Sequence, residues 1–254
     1  MFKLKSSSFL LGLAGLCLFL FSSCNNSESN VLGDIDEKIV YQIPFTNNQQ
    51  HKYQIINSQE DIIASGVLSS FIQDGRLVLE QKYSSSQDQI ATDEIILVVD
   101  SQTLKPLAGL REISHVNSDG KQINDVYEWV YDNNRDFPKL NSTITTQNGS
   151  KDSSLDLVKN YFDNESSFWL WRTLNFSENT DFFYNTSLVL DNDINSISIR
   201  IFPAEAIEVP AGTYNAWRLV IRNGRALASA WINVLPPHEM VRYDNGDIVL
   251  QLSD

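Results

Sequence analysis

Trp217-Arg218-Leu219-Val220-Ile221-Arg222-Asn223-Gly224-Arg225-Ala226-Leu227-Ala228-Ser229-Ala230-Trp231-Ile232 is the run from which the fold is read. Two segments rich in branched and aromatic residues flank an Asn-Gly pair, and such residues suit a pleated, half-buried surface. Asn223-Gly224 tolerates the positive φ that a tight hairpin turn requires. The run predicts two antiparallel strands joined by a short turn.

The same signature recurs on either side of it. Asp74-Gly75 separates residues 67–72 from 76–83, Asp119-Gly120 separates 112–116 from 121–131, and Asn245-Gly246 joins 240–243 to 247–252. In the last of these, Ile248, Leu250 and Leu252 alternate with Val249, Gln251 and Ser253. One face is drier than the other, as in a sheet packed on one side. Residues 39–43, 95–99 and 196–202 read as further strands. These signals predict a mainly β fold: a single curved antiparallel sheet or incomplete barrel.

One region breaks the pattern. Ser153 or Ser154 suits a helix cap, followed by Leu155, Val158, Tyr161 and Phe162 at helical spacing. Asp163-Asn164 interrupts, and residues 165–174 continue with Phe168, Trp169, Leu170, Trp171 and Leu174. The expectation is one broken helix or two short ones over about 153–174, packed on the concave face. The aromatic cluster Phe168, Trp169, Trp171, Phe182, Phe183 and Tyr184 has two readings. It is ordinary core, where Trp and Phe bury large areas, or it lines an apolar ligand cavity between helix and sheet. Arg172 and Arg218, set among aromatics, are expected to pair with acids or to stack on rings.

The N-terminal segment is an address. Lys3 and Lys5 precede a 13-residue apolar run from residue 9 to 21, and Ser22-Ser23 are small. As a helix the run would be roughly 20 Å long, short of a hydrocarbon core about 30 Å thick. Leu20-Phe21-Ser22-Ser23-Cys24 resembles the bacterial lipoprotein cleavage box, although Phe21 stands where that family usually has Leu. The resemblance implies a signal peptide over 1–23 and a diacylglyceryl thioether and acyl chains (palmitate-type) on Cys24, anchoring the chain to a membrane. Residues 25–37 are polar and small, so 24–37 reads as a flexible tether to a single domain over 38–254.

Cysteine and charge bound the rest. The two cysteines are Cys17 and Cys24, so a chain lipidated at Cys24 has no thiol left for a disulfide or a thiolate metal site. The net charge is -13, and removing Lys3 and Lys5 with the leader takes it to -15. Such a chain is repelled by phosphate backbones, so nucleic acid is not an expected partner.

Motifs that carry chemistry are mostly absent. His238-Glu239-Met240-Val241-Arg242 opens like a zinc-protease helix, but Arg242 stands in place of the second ligand. Asp191, Asp193 and Asn195 have the opening spacing of a calcium loop, but Ser196 replaces the turn glycine and Phe202 the closing Glu. There is no Gly-x-Ser-x-Gly elbow, P-loop or Gly-x-Gly-x-x-Gly fingerprint. His51, His115 and His238 lie far apart in sequence. No catalytic residue, metal site or cofactor is expected.

Asp163-Asn164-Glu165-Ser166, Trp169-Leu170-Trp171-Arg172-Thr173-Leu174, Val209-Pro210-Ala211-Gly212-Thr213-Tyr214 with Ala216-Trp217, Ala230-Trp231 and Pro236-Pro237-His238 together resemble the bacterial family called domain of unknown function 3108 (DUF3108). Asp100 with Thr103-Leu104-Lys105-Pro106-Leu107 fits the same pattern. The resemblance implies exported, often lipid-anchored proteins with a curved antiparallel sheet, similar in shape to the half-barrel LolA/LolB carriers of the Lol system. It carries no catalytic residue. The expected function is a lipoprotein on the extracytoplasmic side of a cell-envelope membrane that binds an apolar ligand or lipid without catalysis. The alternatives are an envelope interaction or assembly lipoprotein, and a hydrolase.

Overall fold

The computed structural model describes residues 39–45, 48–85, 92–116, 120–134 and 137–254. The expected tether and leader, with Cys24, lie outside them. The chain opens with a first group of strands: β1 (Gln49–Asn57), β2 (Ile62–Gln73), β3 (Arg76–Ser85), β4 (Thr92–Val99), β5 (Pro106–Val116), β6 (Gln122–Asp132), β7 (Lys139–Thr146), β8 (Gly149–Asp156) and the short β9 (Tyr161–Asp163). After a helical stretch come β10 (Asp181–Leu188), β11 (Asp193–Val209), β12 (Gly212–Asn223), β13 (Ala226–Asn233), β14 (Met240–Asp244) and β15 (Ile248–Leu252).

These strands form one 15-stranded sheet among the described residues, running β8-β7-β6-β5-β4-β3-β2-β1-β15-β14-β13-β12-β11-β10-β9. Neighbours are antiparallel except β9 and β10, which are parallel. The first and last strands meet in the middle of the sheet, with Tyr53 opposite Leu252.

The order dictates the curvature. Laid flat, strands at the two ends of such a sheet would stand about 67 Å apart at ~4.8 Å per spacing. Yet β8 and β9 are joined by residues 157–160 alone, a link that reaches about 17 Å when extended. The sheet must roll until its edges approach. The expected incomplete barrel, a mainly β single curved sheet with a minor helical part, is what forms.

Hairpin turns follow the local chemistry, with one shift. Asp74 and Gly75 both have positive φ, at 51° and 77°, as a type I′ turn needs. At the second hairpin Asn223 still pairs with Ala226. The loop is therefore Gly224-Arg225, one residue later than expected, with Gly224 at φ 55°. Glycine at the first central position is the type II′ pattern. Gly212 (φ 133°) follows the two-residue Pro210-Ala211 loop between β11 and β12.

The expected helix over 153–174 is half right. Residues 153–156 belong to β8, not to a helix, and Tyr161–Asp163 is a strand. Hydroxyl pairs to β7 explain the difference: Ser142 with Ser153 at 2.8 Å, Thr145 with Ser150 at 2.8 Å, and Thr143 donating to Asp152 at 2.7 Å. Cross-strand partners outweigh weak helix propensity in such a segment. The 155–162 spacing only mimics a helix, because it crosses a strand, a link and a second strand.

Helix appears from Asn164 onward. A 3-10 turn (Asn164–Ser166), α1 (Ser167–Leu170) and a second 3-10 turn (Trp171–Thr173) run in succession. Asp163 caps them, accepting from the Glu165 backbone N–H at 2.8 Å. Every residue from Asn164 to Leu174 is buried, the polar Asn164, Glu165, Ser166, Ser167, Arg172 and Thr173 included. The segment lies along the concave face, and the main core forms around it.

Candidate functional site

Five of the six aromatics singled out in the sequence meet inside the curve. Phe168 packs edge-on to Trp171 (5.6 Å between ring centroids) and to Tyr243 of β14 (5.2 Å). Trp171 stacks on Tyr243 at 5.8 Å, and its indole N–H donates to the Tyr184 hydroxyl at 3.1 Å. Trp169 and Phe182 are buried with them, and Phe162 lies edge-on to Tyr184. Phe183 does not join them. It alternates with Phe182 and Tyr184 on β10 and points outward, 38% exposed. Phe168, Trp171 and Tyr243 contact one another ring to ring, and Trp169 and Phe182 are buried in the same core cluster.

Arg172 stacks over Phe45 (4.7 Å) and donates to the His238 carbonyl (2.9 Å), the Pro237 carbonyl (3.0 Å) and Gln49 (2.9 Å). It tethers the second 3-10 turn to the β13–β14 loop through carbonyls rather than acids. His51 and His238, 187 positions apart in sequence, both come to this guanidinium. Burial first, then Arg172, holds the His51 imidazole below its ordinary pKa. Arg218 stacks on Phe202 at 4.7 Å and approaches Glu205 at 4.0 Å.

The sequence reading missed the polar half of the interior. Asp163 and Glu165, at the start of the helical stretch, point into the wall formed by β3 to β6. Arg111 (β5) grips Asp93 (β4) through two bonds of 2.8 and 2.6 Å and reaches Glu165 at 3.1 Å. Gln81 (β3) donates to the Glu165 carbonyl at 2.5 Å and accepts from Tyr83 at 2.6 Å. Asp163 accepts from the Trp129 indole (2.8 Å) and the Tyr131 hydroxyl (2.7 Å) of β6. Tyr131 also stacks on Tyr161, which is hydrogen-bonded to Asn133. Two cues were present: a charged Arg111 inside an alternating strand, and Asp163-Asn164-Glu165-Ser166 between apolar runs.

Charge is tightly constrained here. Three carboxyl groups share one guanidinium in a place water does not reach, and burial penalises each ionised form. Burial raises Asp93 against the pull of Arg111, and raises Asp163 against its hydrogen-bond donors. Glu165 is pushed up to about 7, by burial first and then by Asp163 and Asp93, with Arg111 opposing. Nearby, burial lowers Lys105 to about 8. Its ammonium donates to the Tyr161 carbonyl at 2.8 Å and lies over the Tyr161 and Phe162 rings. Chemically the cluster is a lock. It fixes the helical stretch to the wall, and its carboxyl groups face protein rather than a cleft.

No family model matches the chain, and no curated protein does. Among solved structures it is similar to a β-barrel-like protein of domain of unknown function 1849 from Brucella abortus, at 8% identity and a TM-score of 0.47, over 81% of this chain and 94% of that one. It is also similar to a protein described as exported, with a YmcC-like fold, from Bacteroides fragilis. That match has 10% identity and a TM-score of 0.27, over 84% of this chain and 98% of the other.

Proposed function

We propose that this chain is a non-catalytic envelope lipoprotein, anchored by lipid on Cys24, whose domain acts by engaging another protein through its outer surface. The observation that carries the reading is the unbroken burial of residues 164–174 along the concave face. In a half-barrel carrier that is where cargo would lie. Here Phe168, Trp169 and Trp171 fill it with the protein's own side chains, and the Arg111 cluster holds them there. The buried carboxyl groups also favour a non-catalytic role, since a general acid must come within hydrogen-bond reach of substrate. The anchor rests on the resemblance of residues 20–24 to a lipoprotein box. The DUF3108 resemblance remains an expectation beside it.

Protein purified from membranes and weighed intact tests both parts. The expected species begins at Cys24, carries covalent acyl mass and holds no other lipid, and chemical cross-linking in cells shifts it to a larger complex. A co-purifying phospholipid lost on unfolding would favour the apolar-ligand reading instead. A lone monomer after cross-linking would remove the interaction reading.

A further inference from the structure

The convex face of an open half-barrel meets water, and its outward residues are expected to be polar. Most of it obeys. One register row crosses the sheet as Gln251, Gln54, Ser65, Ser84, Thr92 and Ser114, all amides and hydroxyls.

Between β3 and β6 the rule fails. Val78 lies opposite Val98, Val98 opposite Ala108 and Ala108 opposite Val130, while in the adjoining row Ile96 lies opposite Leu110. Their strand neighbours Leu77, Leu79, Ile95, Leu97, Trp129 and Tyr131 belong to the core. Alternation therefore sends these six outward, and none of the six packs against that core; Val78 is itself buried, and Ile96, Val98, Ala108 and Leu110 are half-buried. Val130 is 57% exposed. The strip is roughly 15 Å long across three strand spacings and about 7 Å wide along the strands.

One flank is acidic, while on the other exposed Arg76 lies two residues from Val78 on the same face. Glu80 and Glu128 close the two ends of the Ile96–Leu110 row, and Glu94 stands directly opposite Glu112 in the next outward row. Like charges placed opposite each other destabilise a sheet. Lys82, 3.8 Å from Glu94, supplies the cation among them. An apolar centre with a charged rim is the layout of a protein interface.

We propose that this strip is where the partner docks, and that the partner is a protein presenting apolar side chains ringed by Lys and Arg. The inference rests on the interaction reading and gives it a place and a chemistry. The charge pattern selects this occupant over others. A second copy would set Glu against Glu. The chain's own residues 24–37 carry Glu28, Asp34, Asp36 and Glu37, which this rim repels, as it would an anionic lipid surface.

A photo-cross-linking amino acid placed at Val130, and at exposed Ser65 on the same convex face as a control, tests it in the full-length chain in its own cells. The expected result is a protein adduct at Val130 and none at Ser65, with Lys or Arg beside apolar residues in the linked peptide. The pair Glu112→Lys/Glu128→Lys should lower the adduct yield about tenfold or more. Both positions are exposed, and an unchanged melting temperature would show that the fold is intact. A dimer-mass adduct, a phospholipid adduct, or an adduct indifferent to the charge reversal would overturn the proposal. Whole-cell chemical cross-links without a Val130 adduct would remove this face and leave the interaction reading standing. No cross-link of either kind would remove both.

Discussion

Glu165 shows how much one side chain can impose when it is buried with its own kind. Its backbone carbonyl takes Gln81, its carboxyl takes Arg111, and burial first, then Asp163 and Asp93, push its pKa up to about 7. An unfolded glutamate ionises near 4.5, so between about pH 4.5 and 7 the folded chain holds a proton that the unfolded chain has released. The stability Glu165 contributes is therefore full below 4.5 and is lost as pH rises through 7. Lowered His51 contributes the opposite slope, because its stability is present above 6.5 and lost as pH falls. Comparing the native chain with Glu165→Gln separates the two. The variant should lose less stability than the native chain between pH 4.5 and 7, as read from urea midpoints at each pH. Parallel curves would show that Glu165 titrates normally in the folded state.

At the scale of elements, packing between strands sets what each position tolerates. Gly109 of β5 is a case where side-chain absence matters more than backbone freedom. A Cβ there would fall within the indole of Trp129 on the neighbouring strand. Gly66 has the same relation to Tyr83, with the ring 2.8 Å from the added carbon. Each glycine gives a large ring room to lie over the sheet, and the Trp129 ring then delivers its N–H to Asp163. Gly109→Ala should cost about 2–3 kcal/mol, the upper part of the roughly 1–3 kcal/mol range for overpacking a filled interior, measured by denaturant unfolding. Gly75→Ala makes a useful contrast, since open space surrounds it and only its positive φ objects. Its cost should be about 1 kcal/mol. Equal costs at the two sites would mean that Trp129 moves aside freely and that its bond to Asp163 contributes little.

Across the whole molecule, the chain closes on itself at β1 and β15. Leu250 and Leu252 are buried core residues opposite Ile55 and Tyr53, and the Ser253 N–H donates to the Lys52 carbonyl at 2.8 Å. This seam joins the two arms of the sheet, one running β1 to β8 and the other β15 back to β9. Such non-local pairing forms late and costs loop entropy before it returns any contact. Removing residues 248–254 should therefore abolish the cooperative thermal transition, followed by circular dichroism, rather than merely lower its midpoint. A truncated chain that still melts in one sharp step would show that the arms stand independently.

The β nature of the chain and the turns at Asp74-Gly75 and Asn245-Gly246 were legible from residues alone. Alternation and Asn-Gly or Asp-Gly chemistry act over a few neighbours, so they survive in a linear reading. The place where strand gives way to helix was not legible, because residues 153–156 become a strand through hydroxyl partners on β7 that lie outside any local window. Phe168, Trp169, Trp171, Phe182 and Tyr184 could be marked as a group, but whether they faced a ligand or one another depended on how the sheet rolled. The Asp93–Arg111–Glu165 cluster was hidden for the same reason. Its members come from β4, β5 and the helical stretch, and burial, which gives a charge its meaning in a protein, exists only once those elements have met.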